Sequence, residues 1–334
     1  MLIVDAHLDL SYNALHGQDV LKPARERLPT GPEIPTVGLP DLLAGGVRLV
    51  CATVFAEPSI KGGPGYHNAD EAFARGQEHL AWYLRQTDAG KFRFVKWRQD
   101  LESFPAEGNA QHAILLMEGA DPLRAPADLS QWFEAGLRIV GLAWKQTRFA
   151  GGTGDPGPLT AEGVEMVKAL EAHRIIHDTS HLAEESFWQL MHMTRGPVMA
   201  SHSNCRSIVP TDRQLSDEMI KAIVARDGVI GINFFDRFML PPDQYGTRRA
   251  TLEDVVVHMK QICELAGDAK HVAIGTDMDG GLGRNEIPVE IETSADLPRL
   301  GEALSSGGFG DGDVAGIMGG NWMEFFARSL PDEF

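Results

Sequence analysis

Five apolar runs in this chain end on side chains that could ligate a metal or move a proton: LIVDAHLD (2–9), AILLMEG (113–119), RIIHDTSH (174–181), PVMASH (197–202) and HVAIGTDMDG (271–280). Parallel strands deliver their carboxyl ends to one face of a fold, so the recurrence points to a shared site. His7 and Asp9 lie two residues apart. Alternation along a strand turns them the same way, and an imidazole and a carboxylate so placed can grip one cation. Asp5 shares their parity but lies deeper, which suits a supporting group better than a ligand. Glu118 follows five apolar residues. A carboxylate buried there must be paired, liganded or protonated. It could form a salt bridge with an Arg or Lys, or bridge two metals with one oxygen on each.

His181 and His202 close two successive runs and could together hold a second metal. His177 has the parity of His181 but lies deeper, as a supporting group or a core residue. Asp277 and Asp279 end the last run in GTDMDGG, and either could be a general base. A turn-forming role before Gly-Gly suits Asp279 better. Arg206 and Arg213 lie in HSNCRSIVPTDRQ (202–214). A guanidinium fork suits a carboxylate, although a single loop arginine is ordinarily a solvated charge. One binuclear site explains His7, Asp9, Glu118, His181, His202 and Asp277 together. The donor set is imidazole and carboxylate without thiolate. That suits two zinc ions per chain, and other transition metals fit it as well.

These residues need a scaffold that makes the run ends converge. Eight runs rich in Val, Ile and Leu read as buried strands: 2–9, 47–55, 113–120, 138–144, 174–180, 197–202, 228–235 and 271–277. Helical patterns alternate with them. The clearest are 70–86, 159–173 with Thr160 as N-cap, 216–228 with Ser216 as N-cap and Gly228 past its end, and 251–267. Such alternation means an α/β fold with a parallel sheet. Strands sit about 4.8 Å apart, so an open sheet would hold the first and last run ends tens of Å apart. Only a closed (β/α)8 TIM barrel brings all five together. The expectation is one catalytic domain over 1–334, with long loops at 21–40, 57–70, 151–158 and 280–298.

The bulk composition agrees with this reading. The net charge of −17 argues against nucleic acid or an anionic membrane as partner. Three scattered cysteines, Cys51, Cys205 and Cys263, make no disulfide framework, and a reducing, cytoplasmic setting is expected. The first residues lack a basic start and a cleavage site, so no secretory signal is expected. No apolar run reaches the ~18 residues of a membrane span.

The motifs D-A-H-L-D (5–9), M-E-G (117–119), D-T-S-H (178–181), S-H-S (201–203) with Arg213, G-T-D-M-D-G (275–280) and G-G-N-W (319–322) occur in one order. In them, residues 2 to about 326 resemble the membrane dipeptidase (renal dipeptidase) family of zinc peptidases, among the amidohydrolase-like barrels. The resemblance implies His7 and Asp9 on one zinc, His181 and His202 on the other, and Glu118 bridging. It implies Asp277 as acid/base, Arg213 on the substrate's terminal carboxylate, dipeptides as substrates with a D-residue tolerated at the C-terminal position, and a homodimer. It departs in GLAWKQTRFAGG (141–152), where Trp144 stands in place of a histidine that steadies the substrate oxyanion in that family. The Trp144 N–H, Lys145 or Arg148 would then take over, or the substrate differs. The alternatives are a binuclear hydrolase of another amide, an N-acyl amino acid or a lactone. A more distant one is a phosphate-binding barrel lyase or isomerase, resting on GGLGRN (280–285).

Overall fold

A computed structural model describes residues 2–29, 31–60, 62–102 and 108–333. The expected loops 21–40 and 57–70 each contain one residue, 30 and 61, outside that description. Eight parallel strands form the centre: β1 (Ile3–Leu8), β2 (Val47–Phe55), β3 (Gln111–Glu118), β4 (Leu137–Gly141), β5 (Ile176–Asp178), β6 (Val198–Met199), β7 (Ile230–Ile232) and β8 (Val272–Ile274). β1 to β6 pair in sequence order, and β7 pairs with β8. A short strand, Phe92–Phe94, adds to β3 and was not expected from the sequence.

The two seams close the ring with few bonds. β6 meets β7 at the Ala200–Ile230 bridge, with Gly231 N–H donating to Ala200 O at 2.8 Å. β8 returns to β1 through Asp277 N–H to His7 O at 3.3 Å. Ser201 makes the first seam tight. A Cβ on Gly231 or Gly275 would lie 2.1 or 1.8 Å from its carbonyl oxygen, so only glycine fits at either position. The expected barrel is therefore present, although its later strands are shorter than their apolar runs. The chain leaves the ladder early where it must aim functional side chains.

The barrel interior is a packed core. Val4, Leu49, Ile114, Ile139, Ile176, Met199 and Ala273 fill it from seven strands. Trp322, Phe325 and Phe326 plug the end away from the site, and the Trp322 indole N–H donates to Ile274 O at 2.8 Å.

The outer helices are α1 (Ala69–Asp88), α2 (Leu129–Ala135), α3 (Ala161–Ala172), α4 (Glu184–Met193), α5 (Asp217–Val224), α6 (Leu252–Ala266), α7 (Pro298–Ser306) and α8 (Asn321–Ser329), the last carrying the plug. Thr160 and Ser216 cap α3 and α5 as expected. Thr251 and Asp254 form a capping box on α6, and Gly267 ends that helix at φ +85°. α5 stops at Val224, four residues before Gly228, because Asp227 turns the chain at φ +53°.

The expected loop 151–158 is instead a hairpin of Ala150–Gly152 and Asp155–Leu159, turning on Gly154 at φ +74°. Glycines that read as loop residues serve its close pairing: a Cβ on Gly151 would lie 2.4 Å from Gly157 N. Cys51, Cys205 and Cys263 are free. Among the described residues, no helix is long and apolar enough to cross a membrane.

Candidate active site

The site begins with a slip in strand register. Asp5 stands opposite Val50 and Leu8 opposite Ala52, so Ala6 and His7 share the space against Cys51. This bulge turns His7 into the barrel mouth; regular alternation from the inward Val4 would have turned it out. Asp5 consequently falls on the opposite face from His7, contrary to the parity expected from sequence. Its carboxylate accepts from the Thr276 N–H (2.9 Å) and hydroxyl (2.6 Å), which ties β1 to β8.

Six of the expected residues converge. Glu118 Oε2 lies 3.5 Å from His7 Nε2. Its Oε1 lies 3.2 Å from His181 Nε2 and 3.5 Å from His202 Nε2, and those two nitrogens are 2.9 Å apart. Asp9 Oδ2 and Asp277 Oδ1 each stand 3.9 Å from His7 Nε2. Three overlapping triads have all their ligand atoms within 4.8 Å of one another: His7, Asp9 and Glu118; Glu118, His181 and His202; and His7, His202 and Asp277.

The rings are held from behind by hydroxyls. Ser201 Oγ lies 2.6 Å from Asp178 Oδ2, 2.7 Å from His202 Nδ1 and 3.2 Å from His7 Nδ1. A hydroxyl has one proton, and the carboxylate can only accept it. Ser201 therefore donates to Asp178 and accepts from both imidazole N–H groups. Thr153 Oγ1 lies 3.0 Å from His181 Nδ1. With Nδ1 so occupied, all three rings present Nε2 lone pairs to the centre, the tautomer a metal needs. Thr53 donates to Asp9 Oδ1.

The electrostatics also call for cations. His7 Nε2 is buried and has no hydrogen-bond partner among the described residues. Burial opposes a charged His7, yet Glu118, Asp9 and Asp277 together outweigh it and lift its pKa to about 10. Burial pushes Asp277 up to about 8, with the charges of Asp9 and Glu118 adding to it. Three carboxylates thus face one another around His7, with the buried Arg213 guanidinium acting on Asp277 and Glu118 from the side, and a pair of divalent ions fits that donor set.

Two site residues occupy left-handed backbone: His181 at φ +66° and Asp277 at φ +60°. Such conformations cost roughly 1–3 kcal/mol each and persist where surrounding structure enforces them. The turn at His181 lets it reach the cluster from three residues beyond β5. Asp277 Oδ2 accepts from Asn233 Nδ2 at 2.8 Å. Asp279, also at φ +62°, is turned away from the cluster. Its carboxylate takes bonds from the Thr36 N–H and hydroxyl, the Val37 N–H and the Arg27 guanidinium, pinning the 21–40 loop.

A cavity of about 270 Å³ opens over the cluster. Asp9, Glu118, His181 and Asp277 line it, with Trp144, Phe55, Phe235 and Phe238 as aromatic walls and Tyr12 and Glu57 at one edge. Trp144 sits 5.3 Å from Phe55 and 6.4 Å from His181, centroid to centroid. A larger groove of about 860 Å³ between α6 and α7 lies apart from these residues.

Other expected residues fall elsewhere. Arg213 is buried beside His202, donating to its carbonyl and to Ser203 Oγ (3.1 Å), and does not line the cavity. Arg206 pairs with Glu184 and the Gln214 carbonyl, away from the cavity lining. Arg148 is held by Asp121, Glu162 and the Leu123 carbonyl, so it is not placed to support an oxyanion. Lys145 is likewise absent from the cavity lining. His177 faces α3, where its Nε2 meets Glu171 at 3.0 Å; it is a core residue and supports no ligand. Asp178, one position on, takes the inward place instead. The motifs D-T-S-H and S-H-S contained Asp178 and Ser201, but residue type alone did not reveal their role. Asn233, Thr53 and Glu57 had no sequence signal.

Comparison with known proteins agrees. The family model for membrane dipeptidase (peptidase family M19) matches residues 1–329. An uncharacterized protein in the pqqA 5′ region of Klebsiella pneumoniae is 31% identical over 245 residues, 70% of this chain and 88% of that protein. Dipeptidase aclJ of Aspergillus oryzae is 29% identical over 182 residues, 53% of this chain and 42% of its own length. Among solved structures, the dipeptidase AC of family M19 superposes with a TM-score of 0.85 at 22% identity, covering 99% of each chain. A metallo peptidase from Rhodobacter sphaeroides, liganded with a phosphinate mimic of L-Ala-D-Ala, gives 0.83 at 23% identity, covering 98% of this chain and 99% of that one. These two likenesses speak to the fold, and the family model to descent: the chain belongs to the membrane dipeptidase family, peptidase family M19.

Proposed function

We propose that this chain is a metal-dependent dipeptidase whose two cations are held by His7 and Asp9 on one side, His181 and His202 on the other, and Glu118 between. The observation that carries this is the pair of donor triads sharing Glu118, with an orphaned Nε2 on His7. Zinc suits the donors best. Bound there, two divalent ions would polarise the scissile carbonyl and lower the pKa of the attacking water.

The chain's own groups do the rest. Asp277, oriented by Asn233, takes the water's proton and passes it to the leaving amine. Ser201 and Thr153 fix the ring tautomers. Phe55, Trp144, Phe235 and Phe238 exclude bulk water, which strengthens every electrostatic contact inside. The family resemblance assigns Arg213 to the substrate's terminal carboxylate; it stands behind Phe238 of the cavity wall, with a buried Nε that lacks a partner among the described residues. The mimic bound to the Rhodobacter relative supports testing dipeptides with a C-terminal D-residue. A cytoplasmic homodimer is the assembly proposed with this activity, from the family resemblance and the free cysteines.

The phosphate-binding alternative loses its cation. Arg284 lies 3.7 Å from Glu292, and the nearby cavity wall carries Asp9 and Asp277. The test is a zinc-reconstituted protein assayed against L,L- and L,D-dipeptides, N-acyl amino acids and lactones. Dipeptides are expected to lead, and turnover of lactones alone would overturn the reading. Asp277→Asn should keep its metals and lose about 10²–10⁴-fold in kcat; normal turnover would remove Asp277 from its role.

A further inference from the structure

We infer that Glu57 receives the substrate's free α-ammonium and makes this site selective for unblocked dipeptides over N-acyl amino acids. The inference rests on the dipeptidase reading and names the group that fixes the other end of the substrate.

In an eight-stranded ring the second and sixth strands stand opposite each other. Arg213 follows β6 and packs against His202 and Phe238. Glu57 lies two residues beyond β2, on the other side of the cluster, and lines the same cavity. A zwitterionic dipeptide spans about 7 Å when extended. With its carboxylate toward the cationic β6 side and its scissile bond over Glu118, its ammonium points to the β2 side. The group waiting there is a carboxylate.

Glu57 is prepared for a cation. The Tyr12 hydroxyl donates to its Oε2 at 3.0 Å and holds the side chain at the cavity edge. Among the described residues, Tyr12 supplies its one side-chain hydrogen bond, and Glu57 forms no ion pair. The Phe55 ring beside Tyr12, 5.5 Å away, gives the N-terminal side chain an apolar wall. An acyl group without an amine leaves the carboxylate unpaired and loses that charge-assisted bond.

The test compares two substrates that differ in one group. One is whichever of L-Ala-L-Ala and L-Ala-D-Ala the zinc-loaded protein turns over faster. The other is N-propionyl-alanine of the same C-terminal configuration, which differs only in lacking the ammonium. The wild type should prefer the dipeptide by about 10–100-fold in kcat/KM. Glu57→Gln should collapse that preference to within about threefold by raising KM for the dipeptide, with kcat and the N-propionyl kinetics little changed. Glu57→Asp should restore part of the preference, and Tyr12→Phe should weaken it without abolishing it. A preference that survives in Glu57→Gln, or an equal loss of kcat on both substrates, overturns the inference while leaving the dipeptidase reading intact. If the wild type turns over neither alanine dipeptide, both fall together.

Discussion

Gly280 offers a sharp probe of the site because it lies against two of its carboxylates. A Cβ added there would sit 2.2 Å from Asp277 Oδ1 and 2.9 Å from Asp9 Oδ2. Ordinary carbon–oxygen contacts are about 3.3 Å or longer. Gly280→Ala must therefore push Asp277 by about 1 Å, enough to strain its bond to Asn233, and Asp9 by a few tenths of an ångström. Misplacing a catalytic group by about 1 Å costs on the order of 10²-fold in rate. The neighbouring glycine is the control. Gly281 has φ +75° and nothing within 4 Å of its added Cβ, so Gly281→Ala carries a backbone cost of about 1 kcal/mol and no collision. Steady-state kinetics with a dipeptide, metal content and thermal unfolding on both variants separate the effects. The expected result is kcat down about 100-fold in Gly280→Ala with the fold retained, and near-normal kcat with a lowered Tm in Gly281→Ala. Equal kcat in Gly280→Ala and wild type would refute the placement of Asp277 at the reacting centre.

Ser201→Ala removes the hydroxyl shared by Asp178, His7 and His202; metal affinity measured by chelator competition should fall about 10–100-fold while circular dichroism stays unchanged. Trp322→Ala empties the plug of the barrel, and chemical denaturation should show a loss of about 3–5 kcal/mol. Glu171, bonded first to His177 and then to the N–H groups of Arg195 and Gly196, has its pKa lowered to about 2. A depressed carboxylate stabilises above its unfolded pKa of about 4.3 and loses that contribution as pH falls toward 2. Because this side chain is partly exposed, screening limits the effect to about 1 kcal/mol. Glu171→Gln should be less stable than wild type at pH 6, and the gap should narrow in melts from about pH 4 down to about pH 2.

The chemistry of the site was legible because its residue types are costly to bury and recur at run ends. His7, Asp9, Glu118, His181, His202 and Asp277 group together on residue type and position alone, and convergence of five run ends requires a closed barrel. What escaped the sequence depended on local geometry. The bulge at Ala6–His7 breaks strict alternation, so Asp5 was assigned to the wrong face. The left-handed turn at His181 separates it from the strand parity that made His177 look like its neighbour. Asp279 and Asp277 are two residues apart and chemically identical, but only the position of Thr36 and Arg27 shows that Asp279 anchors a loop. Ser201 carries no charge, and its importance lies in three contacts that residue spacing cannot encode. Glu57 sits in a loop without a motif and becomes visible only when β2 is seen facing β6 across the cavity.

The central claim is that two cations share Glu118. Anomalous diffraction at the zinc edge from crystals of the zinc-reconstituted protein tests it directly. Two peaks are expected, one among His7, Asp9 and Glu118 and one among Glu118, His181 and His202, about 3.5–4 Å apart. No peak beside Glu118, or zinc only at surface sites remote from it, would contradict the account.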